Sequence, residues 1–194
     1  MTRRRIDAFF RELDRELKRK ASIILVGASA GTLMGHIRPS VDIDFEINFS
    51  GHRKPGDVST LQAAIETTSH KIGVAVNFSN NISRWSMISF LDYRRTARSY
   101  KKFGKLTVKL ITPEYWTIGK MARFLELDIQ DMIKIIRKKK LRSEKLMQIW
   151  QKALEDSNLC LELGQFKDHV SFFIKRYGKR LWGPEFDVGK YFAQ

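Results

Sequence analysis

The sequence is short of cysteine, of proline and of acid. Its one cysteine, Cys160, excludes an intramolecular disulfide and any zinc site built mainly from thiolates. Four prolines in 194 residues leave long stretches open to regular structure. No window reaches the roughly 18 uninterrupted apolar residues of a membrane-spanning helix. After Arg3, Arg4 and Arg5 comes "IDAFFRELDREL", an amphipathic stretch rather than the apolar run of a secretory signal. Its Asp7, Glu12, Asp14 and Glu16 are unlike a mitochondrial presequence, so a cytoplasmic protein with no membrane partner is expected. The deficit of acid is the largest departure: 36 Lys and Arg stand against 21 Asp and Glu, a formal net charge of +15. Such a balance favours polyanions, RNA among them. It is also compatible with a basic protein that is merely soluble.

What is present suits a folded chain. Hydrophobic residues make up 43% of it, enough for a packed core. Ile6, Phe9, Phe10, Leu13 and Leu17 recur at helical spacing and predict a first helix. Strands are predicted at Ser22 to Val26, Val41 to Phe49, Gly73 to Phe78 and Lys105 to Ile111. A short helix is predicted from Ser29. Another is predicted from about Val58, with Asp57 and Ser59 as candidate caps. Residues 79–103 mix turn formers, aromatics and the basic run "YRRTARSYKK" and predict no regular element. Pro113 opens a helical remainder, with helices to Leu125, over Asp128 to Lys139, Ser143 to Glu155 and Leu161 to Arg176. The expected architecture is α/β (α+β), a mixed sheet flanked by helices over 1–112, then a C-terminal helical bundle over 113–194.

The stretch "ILVGASAGTLMGHIRPSVDIDFEI" carries the chemistry. Asp42, Asp44 and Glu46 alternate with Ile43, Phe45 and Ile47, so the three carboxylates share one face of a strand. Such a face repels itself unless it holds a divalent cation, and oxygen donors suit Mg²⁺ together with phosphate oxygens. Upstream, Gly27-Ala28-Ser29 is a strand-to-helix turn. Turns of this kind offer backbone N–H groups to a phosphate, and Ser29 adds a hydroxyl donor.

These residues resemble the polymerase-beta-like nucleotidyltransferase signature, in which a strand and G-x-S precede a short helix and Asp-x-Asp. "GHIRPSVDID" is similar to the minimal nucleotidyltransferases of abortive-infection toxin systems and their relatives, with Ser40 where threonine is usual. "LTVKLITPEYWTIGKMARFLELDIQDM" is similar to their downstream segment, a strand, a helix with a lysine, then Asp-x-x-Asp. The resemblance implies a nucleotidyltransferase fold and transfer of an NMP group from an NTP to a hydroxyl of RNA, tRNA included, or of protein. It implies two Mg²⁺ ions at Asp42 and Asp44, and an NTP held by Gly27, Ala28, Ser29, Arg38 and Lys120. A cognate antitoxin partner follows from the resemblance alone. Asp128 and Asp131 match the pattern, either with a role at the site or as braces of their helix.

One position departs from the family. A later strand normally contributes a third acid, and "GVAVNF" offers Asn77, whose amide cannot act as a base. Glu46, on the right side by parity, or Asp92 are the candidate replacements. The remaining reading is a degenerate module that binds nucleotide or RNA. Tyr93 and Tyr100, interleaved with Arg94, Arg95 and Arg98, are candidates to stack on unpaired bases.

Overall fold

The structure is a computed structural model that describes residues 1–35, 40–51 and 55–189. The predicted loop 51–56 falls partly outside these residues, and Arg38 falls wholly outside them. The chain clusters into two compact units: Met1–Ile82 with Arg94–Ile111, and Ser83–Tyr93 with Thr112–Gln194. Ser83–Tyr93, which the sequence alone groups with the first unit, clusters with the second.

The first unit is a five-stranded mixed sheet with helices. Its elements are α1 (Arg3–Leu17), β1 (Ala21–Val26), α2 (Gly27–Gly35), β2 (Asp42–Phe49), α3 (Asp57–Ile72), β3 (Ala75–Ser79), α4 (Tyr93–Thr96), β4 (Arg98–Phe103) and β5 (Leu106–Leu110); a 3₁₀ turn follows β3 at Ile82–Trp85. The strand order is β3-β2-β1-β5-β4. β1 runs antiparallel to β2 and parallel to β5, and β2 runs parallel to β3. The alternation in β2 decides how the sheet packs. Ile43, Phe45 and Ile47 are buried, and the Phe45 ring lies 5.9 and 5.7 Å from Phe9 and Phe10 of α1. The acidic residues of β2 therefore point to the opposite side of the sheet.

Three local details differ from the sequence prediction. α2 begins at Gly27 rather than Ser29, because Gly27 adopts φ +60° and turns the chain directly from β1 into the helix. The N-cap of α3 is Gly56, while Asp57 pairs with Arg19 and the Ser59 hydroxyl donates to Gly56 O at 2.9 Å. β4 lies in the stretch given no regular element. It is an edge strand whose Arg98, Ser99, Lys101 and Lys102 are exposed, so it shows no alternation.

The second unit is helical: α5 (Pro113–Arg123), α6 (Glu126–Lys139), α7 (Ser143–Glu155) and α8 (Leu161–Trp182). Trp150 is its fully buried centre. Its indole N–H donates to Thr117 Oγ1 at 2.9 Å, and its ring meets Phe173 edge-on at 5.8 Å. That one contact set ties α5, α7 and α8 together. α8 continues past Arg176 to Trp182, and Gly178 within it lets the Phe186 ring pack closely, since a Cβ there would lie 2.7 Å from the ring's Cδ1.

Candidate active site

The site grows from the sheet register. Val26, the last residue of β1, stands opposite Asp44 of β2, so the turn that follows β1 arrives beside the acidic face. The approach is close enough to exclude a side chain at position 27. A Cβ there would overlap the Asp44 carboxylate, lying 2.6 Å from its Cγ and 2.8 Å from its Cβ. Glycine is thus required twice, by its positive φ and by the carboxylate packed on it. The positive end of a helix dipole favours an anion beside it, and here the start of α2 meets the Asp44 carboxylate.

On its other side Asp44 is in register with Asn77 of β3. The Asn77 amide donates to Asp44 Oδ1 at 2.8 Å and to Asp42 Oδ2 at 3.2 Å. One nitrogen therefore contacts both carboxylates. The amide hydrogens stand where a divalent cation would compete for the same two oxygens, and this is the observation that the donor set fits such an ion. Asp42 is braced further by Ser40, whose hydroxyl lies 3.0 Å from Oδ1 and 2.7 Å from the Asp42 carbonyl oxygen. Among the described residues no cluster of three or more His, Cys, Asp and Glu is placed to hold a metal. The oxygen donors here are two aspartates, joined by the Asn77 N–H group.

Gly27 and Ala28 are half-buried and Ser29 is buried. The Ser29 hydroxyl donates to Val26 O at 3.1 Å, so a phosphate would have to draw that donor away from a backbone carbonyl. Glu46 shares the face by parity but is differently engaged. It is 1% exposed, and Arg94 grips it with Nε to Oε1 at 2.7 Å and Nη2 to Oε2 at 3.0 Å. The Ile82 N–H also donates to Oε2, at 3.1 Å. Such a forked pair fixes a carboxylate and leaves it poorly placed to take a cation. Arg94, from the segment the sequence left unassigned, is thus a structural partner with no local signal. Asp92 lies in the second unit and is exposed.

Lys120 is also in the second unit, 2% exposed, with its ammonium donating to Asp128 Oδ1 at 2.7 Å and Asp131 Oδ2 at 2.8 Å. Arg123 completes the cluster with two bonds to Asp128, at 3.0 and 2.7 Å. Burial pushes the Asp128 carboxyl pKa up, but the bonds from Arg123 and Lys120 outweigh that and hold it below the ordinary 3.8. Asp128 and Asp131 act as braces in this structure. The tyrosines of the basic run are occupied as well. Tyr93 is buried, and Tyr100 donates to Asp7 at 2.7 Å. Burial, and then that bond, push the Tyr100 hydroxyl pKa up to about 12.

The family described as "Nucleotidyltransferase of unknown function (DUF6036)" matches residues 3–177. The chain belongs to this nucleotidyltransferase family. Neither the curated proteins nor the solved structures hold a significant match. As a member of the family it is a transferase at the coarse level, and an NTP is the substrate that class implies. Among its described residues no helix is long and apolar enough to cross a membrane.

Proposed function

We propose that this nucleotidyltransferase moves an NMP group from an NTP to a hydroxyl of RNA, tRNA included, or of protein, at the Asp42–Asp44 face. The convergence of the Gly27 turn with the Asp44 carboxylate supports this reading most directly. Asp42 and Asp44 would hold Mg²⁺, which neutralises triphosphate charge and orients its oxygens. The resemblance implies two ions, and Asp42 and Asp44 would supply the carboxylate oxygens for them, in place of the Asn77 N–H group that both now accept from. The start of α2 at Gly27, Ala28 and Ser29 would hold the β- and γ-phosphates, with Arg38 as a further phosphate ligand. The acceptor oxygen attacks the α-phosphorus, the α–β phosphoanhydride bond breaks, and pyrophosphate leaves. Asn77 cannot take the acceptor's proton, and Glu46 is tied to Arg94, so the proton passes to solvent. By the resemblance Lys120 would also serve the NTP and its departing pyrophosphate; within its own unit its ammonium donates to Asp128 and Asp131.

The net charge of +15 favours RNA as acceptor, and a toxin role beside an antitoxin protein rests on the resemblance. Incubation with labelled NTPs, Mg²⁺ and either total RNA or cell protein tests the reading. Label that appears on an acceptor and disappears in Asp42→Ala/Asp44→Ala supports it. A second reading, a binding module without transfer, is favoured by Asn77 alone. It predicts nucleotide or RNA binding with no labelling of any acceptor.

A further inference from the structure

An aromatic ladder runs through the second unit, with Phe124, His169 and Tyr177 half-buried and Phe172 open to solvent. Phe124 ends α5 with φ +52° and stacks face to face on His169 of α8, with centroids 4.4 Å apart and an interplanar angle of 12°. Its edge meets Phe172 at 5.9 Å, Phe172 meets Tyr177 at 6.5 Å, and the Arg180 guanidinium lies over Tyr177 at 5.1 Å. Phe172 is 53% exposed, unusual for the middle of an amphipathic helix. His169 is fixed by Nδ1 bonded to Met121 O at 2.9 Å, so the stack is rigid.

Cations follow the same stripe. Lys175, Arg176, Lys179 and Arg180 stand three, four, seven and eight residues after Phe172, and all are exposed. Asp168 is the one acid close to Phe172 on that stripe. A helix C-terminus favours cations in its last turn, which accounts for Lys179 and Arg180. Lys175 and Arg176 extend the basic stripe back toward Phe172, the exposed ring of the ladder. An exposed ring at the head of a stripe of cations matches single-stranded nucleic acid, with a base on the aromatic and phosphates on the cations.

We propose that this face of α8, with Phe124, His169 and Phe172, binds single-stranded RNA as the acceptor of the reaction. The identity of the strand as acceptor rests on the function proposed above, whereas the binding surface does not. An acidic protein would use the cations but gain less from an open ring, so RNA is the occupant the aromatics favour.

Anisotropy of a fluorescein-labelled, unstructured RNA oligonucleotide tests this, using the full chain in EDTA without nucleotide. Phe172→Ala should weaken binding by about tenfold, and Phe172→Trp should retain it. Lys175→Gln/Arg176→Gln should reduce the slope of log affinity against log salt by about 1.4. Circular dichroism spectra should match wild type, since all three positions are exposed. RNA binding that the double variant and Phe172→Ala leave unchanged overturns the proposal, as does no RNA binding by wild type. So does a face whose variants lose a protein partner but keep RNA. If these variants lose RNA while no chain transfers nucleotide, the surface stands and the transferase reading fails.

Discussion

Asn77 donates to Asp44 from the register position directly opposite it on the neighbouring parallel strand. A carboxylate at 77 would point at the same two aspartates. The amide therefore replaces a mutual repulsion with two hydrogen bonds. Asn77→Asp should lower the melting temperature in EDTA by about 2–4 °C, for roughly 1 kcal/mol of added repulsion at an exposed site. Mg²⁺ should restore it, and transfer activity should rise. A variant that melts like wild type in EDTA, with no larger response to Mg²⁺, sinks this account of the face.

Gly27 and Gly51 separate strain from steric overlap. Both have positive φ, +60° and +91°, but a Cβ at Gly51 meets nothing within 4 Å among the described residues, whereas one at Gly27 meets Asp44. Gly51→Ala should cost about 1 kcal/mol from backbone conformation alone. Gly27→Ala should cost about 1–3 kcal/mol more and abolish binding of a fluorescent NTP analogue, because the Asp44 carboxylate must move. Equal losses from both substitutions would show that the turn and the carboxylate are not in contact.

Glu46 should matter for stability and not for metal. Its carboxylate already serves Arg94 and the Ile82 N–H. Glu46→Gln should destabilise by on the order of 2 kcal/mol, less than for a fully buried pair because the Arg94 side chain is 49% exposed. Mn²⁺ affinity, measured by electron paramagnetic resonance, should stay within about twofold of wild type, while Asp44→Asn should weaken it strongly. Loss of Mn²⁺ in Glu46→Gln would return Glu46 to the cation site.

These contrasts show where the sequence was legible. Period-two alternation places Asp42, Asp44 and Glu46 on one face, and the fold has that face. Parity carries no information about Arg94, which arrives from 48 positions away in a segment without periodicity. Asn77 could be identified as a departure, but not that it joins both aspartates, since that depends on the β2–β3 register. The Lys120, Asp128 and Asp131 spacing is visible in the chain. Its closure into a buried ion cluster depends on the turn between α5 and α6, where Phe124 takes a positive φ.

That cluster makes the stability of the second unit depend on pH in the acid range. The folded-state pKa of Asp128 lies below the ordinary 3.8 because Arg123 and Lys120 hold the charged form against burial. A depressed carboxylate contributes stability that is complete above its unfolded pKa and is lost as pH falls through the folded value. Wild type should therefore exceed Asp128→Asn in stability by a constant margin at pH 5 and above. The margin should narrow as pH falls below about 3.8, where protonation removes in the wild type what the substitution removes in the variant. The variant should also be less stable at neutral pH by about 3–5 kcal/mol, since Lys120 is left buried with one carboxylate fewer. Urea unfolding of both chains from pH 7 to pH 2.5, followed by tryptophan fluorescence, reads that difference, since Trp85, Trp116, Trp150 and Trp182 all belong to the second unit. A margin that stays flat through the acid range would mean that Asp128 titrates at its ordinary value and that the cluster does not hold it.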